Sequence, residues 1–195
     1  YRFYGEPVVK ACVENGTSHV DISGEPVYLE GMSVKYDEAA KNSGSYVVGA
    51  CGWDSIPFDL GVAFARSKFP GELNRSSVKI PSAKDGSEGF LRLLGDSVEG
   101  VVQMISGPKG YSIHSGTFES MIYGIANSGE LRPIRKQLMP SRPPRGNHPL
   151  KSRGKFFFNE TVEGWCIPFL GSDKSVGSRT QYYNYHEKNQ RPVRR

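Results

Sequence analysis

Cysteine is scarce: Cys12, Cys51 and Cys166 are far apart and odd in number. That excludes a disulfide framework, and no CxxC or Cys/His spacing offers a zinc site, so no metal centre is expected. A reducing, intracellular compartment is the expected setting. No apolar run approaches the roughly 18 residues that a membrane span requires. Also missing are GxGxxG, GxxxxGK[ST], GxSxG and HExxH. The first absence weighs most, because a dinucleotide-binding sheet holds its pyrophosphate on that loop. No internal repeat is present, and no positively charged apolar leader precedes the first helix. Beginning at Tyr1, the sequence reads as a fragment or a processed chain.

What is present suits a loop-rich globular chain. The 195 residues allow one domain or one and a half, with 37% hydrophobic residues, 23 glycines and 13 prolines. The net charge is +5, and much of the excess lies between Arg132 and Lys155 and in the tail from Lys188 to Arg195. "RPPRGNHPLKSRGK" reads as a basic loop. It lacks the interleaved aromatics of a nucleic-acid module, so no nucleic-acid partner is expected. Clustered Lys and Arg fit an anionic lipid surface better. Sequons at Asn15, Asn74 and Asn159 carry little weight without a leader.

Periodicity orders the first third. "EPVVKACVEN" (Glu6 to Asn15) is a short helix with Val8, Val9, Cys12 and Val13 on one face, stopped by Gly16. "SHVDIS" is a strand. "YLEGMSVKYDEAAKNSG" is a second helix ended by Gly44. "SYVVGAC" has the apolar centre of a doubly covered parallel strand, and "IPFDLGVAFARSKF" is a third helix opened by Pro57. Alternating helices and strands predict parallel strands joined by right-handed crossovers. After Asn74 strands come more often: "VEGVVQMIS", "GKFFFNE" and "GWCIPFL", with a helix at "SGTFESMIYGIA". "KIPSAKDGSEGFLRLLGDS" (Lys79 to Ser97) has weak periodicity and reads as a surface excursion. The fold class is α/β. Residues 1–73 form one unit, 74–97 an insertion or loop, 98–185 a partial α+β domain with a basic loop at 139–155, and 186–195 a basic tail.

Ligands of open α/β sheets lie beyond the carboxyl ends of the strands. Ser23, Gly24 and Glu25 follow the first strand there. Gly52, Trp53, Asp54 and Ser55 follow the second, just before a helix whose free amides favour an anion. Each stretch also has a plain reading: Asp54 or Ser55 as a helix cap, Glu25-Pro26 as a turn. His114 in "YSIHSGT" is a general acid/base candidate or a cap. Cys51 is a reactive thiol or a small filler.

"YRFYGEPVVKACVENGTSHVDISGEPVYLEGM", "CGWDSIPFDLGV", "YSIHSGTFESMIYG" and "IPFLGSDKSV" together resemble the saccharopine dehydrogenase-like oxidoreductases of animals. The bacterial trans-acting enoyl reductases are similar and more distant. The match runs through Tyr1 to Leu73, Val98 to Gln137 and Gly164 to about Tyr185. The resemblance implies a Rossmann domain with a mixed α/β domain after it, this chain holding the second half of the Rossmann-like parallel sheet. It implies NAD or NADP as cofactor, with the pyrophosphate-binding half missing. Tyr1, Arg2, Gly5, Ser23, Gly24, Gly52 and Ser55 would line the cofactor crevice, and Tyr4, Glu25 and Asp54 would serve catalysis. A lipid-like or other small-molecule substrate and a lipid-droplet, membrane or mitochondrial location are implied likewise. So is the rival, a non-catalytic lipid-droplet or membrane-associated scaffold that keeps the fold.

Overall fold

The computed structural model describes residues 1–53, 55–68, 76–81, 88–94, 97–103, 108, 114–141, 143, 154–160, 162–169 and 171–190, with backbone alone from 76 to 103. Among the described residues, fourteen segments of regular structure make a mixed α/β chain. Its first part is α1 (Gly5–Glu14), β1 (His19–Val20), α2 (Pro26–Ser43), β2 (Val47–Val48) and α3 (Ser55–Lys68). β1 and β2 pair in parallel, His19 with Val47 and Val20 with Val48. The expected alternation and parallel pairing are present, although each strand keeps only two residues in ladder geometry.

The core lies between α1 and α2. Val9 and Val13 meet Tyr28, Leu29, Met32, Ala40 and Ala50. Fully burying one such aliphatic side chain stabilises by roughly 1.5–3 kcal/mol. The apolar face of α1 is narrower than its sequence suggests, for Val8 is half exposed. α2 begins two residues before the expected Tyr28, since Pro26 suits a helical first turn. It ends where expected, with Gly44 in the left-handed conformation at φ 70°, a region closed to most other residues.

A polar clasp on the same helix pair gives a pH test. Lys35 Nζ donates to Glu6 Oε2 at 2.7 Å and the Tyr36 hydroxyl to Oε1 at 3.2 Å. The Lys35 hydrogen bond, chiefly, holds the Glu6 carboxyl below its ordinary pKa. A lowered carboxylate pKa stabilises the fold above the unfolded value and stops doing so as pH falls through the folded one. Both partners are well exposed, so the contribution stays below about 1 kcal/mol. Urea melts of Glu6→Gln should show this small deficit at neutral pH and none in acid below the folded pKa.

The outer face of the parallel pair is uncovered. Val20 and Ile22 on one strand line, and Tyr46 and Val48 on the other, are 71%, 68%, 75% and 47% exposed. Parallel sheets are ordinarily covered on both faces.

Beyond α3 come β3 (Ser76–Pro81), β4 (Glu88–Leu94) and β5 (Ser97–Gln103), an antiparallel sheet in that order. Over its described residues, the stretch read as a surface excursion from 79 to 97 carries strand backbone, β4 being the central strand. α4 (Ser115–Ala126) matches its sequence reading, and a 3-10 turn at Ser128–Glu130 leads into α5 (Leu131–Leu138). β6 (Phe157–Asn159) and β7 (Gly164–Cys166) form an antiparallel hairpin, and α6 (Asp173–His186) follows. α5 and α6 were not expected.

Candidate functional site

β1 delivers Asp21 to the strand ends, and this buried carboxylate organises them. Its Oδ1 accepts from the Ser23 and Ala50 N–H groups at 2.8 and 3.2 Å. Its Oδ2 lies 3.2 Å from both the Tyr28 hydroxyl, which donates to it, and His19 Nε2. The Asp21 carbonyl accepts from the Cys51 N–H at 2.7 Å. One residue thus joins both strand ends to α2. Ala50 sits at φ 58°, a left-handed conformation that costs a residue with a Cβ of order 1 kcal/mol or more; the bond from its N–H to Asp21 holds it there. Burial, with the Asp21 charge beside it, pushes the Tyr28 phenol well above its ordinary pKa.

The expected site residues fall in three places. Ser23 is buried, and its hydroxyl accepts from the Glu25 N–H at 3.2 Å; Gly24 is exposed beside it. Glu25 stands at the N-cap of α2, its two oxygens accepting from the Tyr1 nitrogen at 3.1 Å and the Arg2 N–H at 3.0 Å. These three, with Tyr1 and Arg2, are brought together. The Tyr1 ring rests 5.5 Å from that of Tyr28, and the Arg2 guanidinium reaches Glu130 at 2.8 Å. Tyr4 caps α1 with its side chain 83% exposed. Gly5 is a packing position, since a Cβ there would run into the Tyr28 ring.

Around the second strand end, Gly52 is half-buried and Asp54 lies outside the described residues. The buried Ser55 hydroxyl meets that of Ser172 at 2.6 Å. His114 caps α4, its Nδ1 accepting from the Gly116 N–H at 3.1 Å. The Cys51 thiol leans on the Val48 carbonyl at 3.4 Å.

A second polar cluster lies behind α2. Glu30, with no exposed surface, receives Arg135 of α5 in a fork: Nε at 3.0 and 2.9 Å and Nη2 at 2.8 Å. Ser175 of α6 donates to the same carboxylate at 2.6 Å. Arg179 reaches Ser33 at 3.4 Å, and Thr180 donates to Asp59 of α3 at 2.9 Å. Burial lowers the Arg179 pKa, with Glu30 and Asp59 opposing that shift. A cleft of about 450 Å³ runs along α2 from Asp21 and Tyr28 past Arg179 to Lys41 and Ser45. Asp21, Glu30, Arg135 and Arg179 were missed. Asp21 stood in the quoted strand, and its signal was a carboxylate inside an apolar run.

Over 197 residues the chain is 43% identical to a protein of Caenorhabditis elegans named "Lipid droplet localized protein", covering 99% of this chain and 41% of that protein. Over 193 residues it is 42% identical to a Homo sapiens protein named "Saccharopine dehydrogenase-like oxidoreductase", covering 99% of this chain and 40% of that one. A Mycobacterium tuberculosis protein whose name marks it as a trans-acting enoyl reductase is 38% identical over 93 residues, or 46% of this chain and 22% of that protein. The chain thus spans about two fifths of the length of the first two relatives. No family model matches it, and no solved structure does.

Proposed function

We propose that this chain, which belongs to the saccharopine dehydrogenase-like oxidoreductase family, is the nicotinamide-side half of an NAD(P)-dependent oxidoreductase acting on a lipid-like carbonyl or enoyl compound. The observation that carries this reading is the α1–β1–α2–β2–α3 alternation, with the ends of its two parallel strands tied together through Asp21. The uncovered outer face of that pair supports its place in a larger Rossmann-like sheet. The enoyl reductase name of one relative and the lipid-droplet name of another support the substrate class and a lipid-associated location.

When bound, the cofactor supplies the hydride chemistry. The chain's own residues would shape its pocket. Tyr4, with its phenol toward solvent, would donate a hydrogen bond to the substrate oxygen. Glu25 would hold the Tyr1–Arg2 backbone at the crevice wall, with Ser23, Gly24, Gly5 and Gly52 lining it. Asp54 would meet ribose or substrate, and Ser55 would anchor α3 behind it. A second reading, a non-catalytic lipid-associated scaffold, draws on the engagement of Asp21, Ser23 and Glu25 by backbone groups.

Cofactor titration separates the two. Without a glycine-rich loop, the 195-residue chain should bind NADPH and NADH at least tenfold more weakly, about 1.4 kcal/mol, than a protein of the relatives' length containing it. Nucleotide fluorescence reads both. If the longer protein binds neither nucleotide, the scaffold reading stands.

A further inference from the structure

One guanidinium is left short of partners. Arg179 of α6 lines the cleft along α2, and its Nε is buried with no hydrogen-bond partner. Its described hydrogen bond is a long one, from Nη1 to the Ser33 hydroxyl at 3.4 Å. The carboxylates around it are engaged elsewhere. Glu30 is held by the Arg135 fork and Ser175, and both Asp21 oxygens by Ser23, Ala50, Tyr28 and His19. One Asp59 oxygen accepts from Thr180, and the other, also buried, has no partner. These charges act on Arg179 at longer range, and burial still outweighs them, keeping its pKa below the ordinary value. A buried cation met so poorly is costly until a charged acceptor reaches it.

The rest of the cleft decides which acceptor. A guanidinium fork pairs with carboxylate or phosphate. The charges lining the cleft, Asp21 and Asp37 against Lys41 and Arg179, cancel, and Lys41 already donates to Asp37 at 2.7 Å. Arg179 therefore faces the cleft as a single unmatched cation beside fixed carboxylates, which suits one negative charge and works against a phosphate dianion. The remaining wall is largely apolar: Leu29 and Met32 are buried, Val47 half-buried, and the Tyr46 ring exposed. At about 450 Å³ the cleft falls in the size range of small-molecule sites, which are apolar with a few polar groups that fix orientation.

We propose that this cleft binds a small organic monocarboxylate, its carboxylate on the Arg179 guanidinium and its apolar body against Leu29, Met32 and Val47. The site does not depend on the redox reading, and its test contains no nucleotide, so the two stand or fall separately. The isotope-labelled chain is titrated by NMR with phenylbutyrate and, separately, with the neutral phenylbutanol. Phenylbutyrate should saturate, moving the Arg179 Nε–H resonance together with the Ser33 and Val47 amides. It should bind roughly tenfold more tightly than the alcohol, the margin of a charge-assisted hydrogen bond. Arg179→Met should erase that preference. Ser33→Leu, which keeps the guanidinium and narrows the cleft, should weaken phenylbutyrate by a similar factor. The Nε–H shift is read on the unaltered chain, so it holds even if either variant folds poorly. Equal binding of acid and alcohol, or an Nε–H resonance that saturating phenylbutyrate leaves in place, would overturn the proposal. So would an Nε–H resonance that Asp59→Asn moves and phenylbutyrate does not, which would show Arg179 closed on Asp59 in solution.

Discussion

Arg135→Met should destabilise the chain by about 3 kcal/mol. Glu30 is fully buried, and its charge is matched by the Arg135 fork and the Ser175 hydroxyl. Removing one partner of a buried pair costs about 3–5 kcal/mol, because the remaining charge stays in a medium that solvates it poorly. The lower figure applies because Arg179 also lies near Glu30 and Arg135 is itself partly open to solvent. The reverse replacement, Glu30→Gln, should cost less, since Arg135 can turn outward and regain water. Urea unfolding of both variants and of the double variant gives the coupling. Equal losses from the two single variants would show that the site is wet.

Asp21→Ala should be comparably severe, about 3 kcal/mol. It strands the Ser23 and Ala50 N–H groups and the Tyr28 hydroxyl, and each buried donor left unpaired costs about 1–3 kcal/mol. Asp21→Asn keeps one acceptor oxygen where the carboxylate had two, so it should fall between. Thermal melts rank the three proteins, and amide exchange locates the damage. Ser23 and Ala50 should lose protection first, Ala50 because nothing else described holds its left-handed backbone. If protection falls evenly along α2 instead, Asp21 is a packing residue and not the organiser of the strand ends.

The first third of the chain was legible because its signals are local. Pro and Gly bracket the helices, and apolar residues recur at three and four. Gly44 ended α2 where a left-handed residue was needed. α6 was invisible for the opposite reason: its buried residues are Ser175, Gly177 and Gln181, so its inward face is polar and hydrophobic periodicity cannot find it. α5 was missed for another reason: Leu131, Ile134 and Leu138 keep helical spacing, but the element has only eight residues and carries Pro133. The "VDISGEP" stretch was read as ligand-facing at Ser23 and Glu25, whereas Asp21 is the residue that binds the two strand ends together. Sequence spacing shows which residues reach a strand end; it does not show which of them the backbone will claim.

The bare outer face of β1 and β2 bears on how long the chain survives in a cell. Val20, Ile22, Tyr46 and Val48 form an apolar patch on a sheet that gains no third strand among the described residues. Such a surface invites strand addition and aggregation, and chaperones and proteases act on the same exposure. For a copy that never gains a covering layer, abundance follows the rates of capture and degradation more than its folding equilibrium. Turnover in a pulse-chase, compared with that of a protein of the relatives' length, then reports whether that face has been covered.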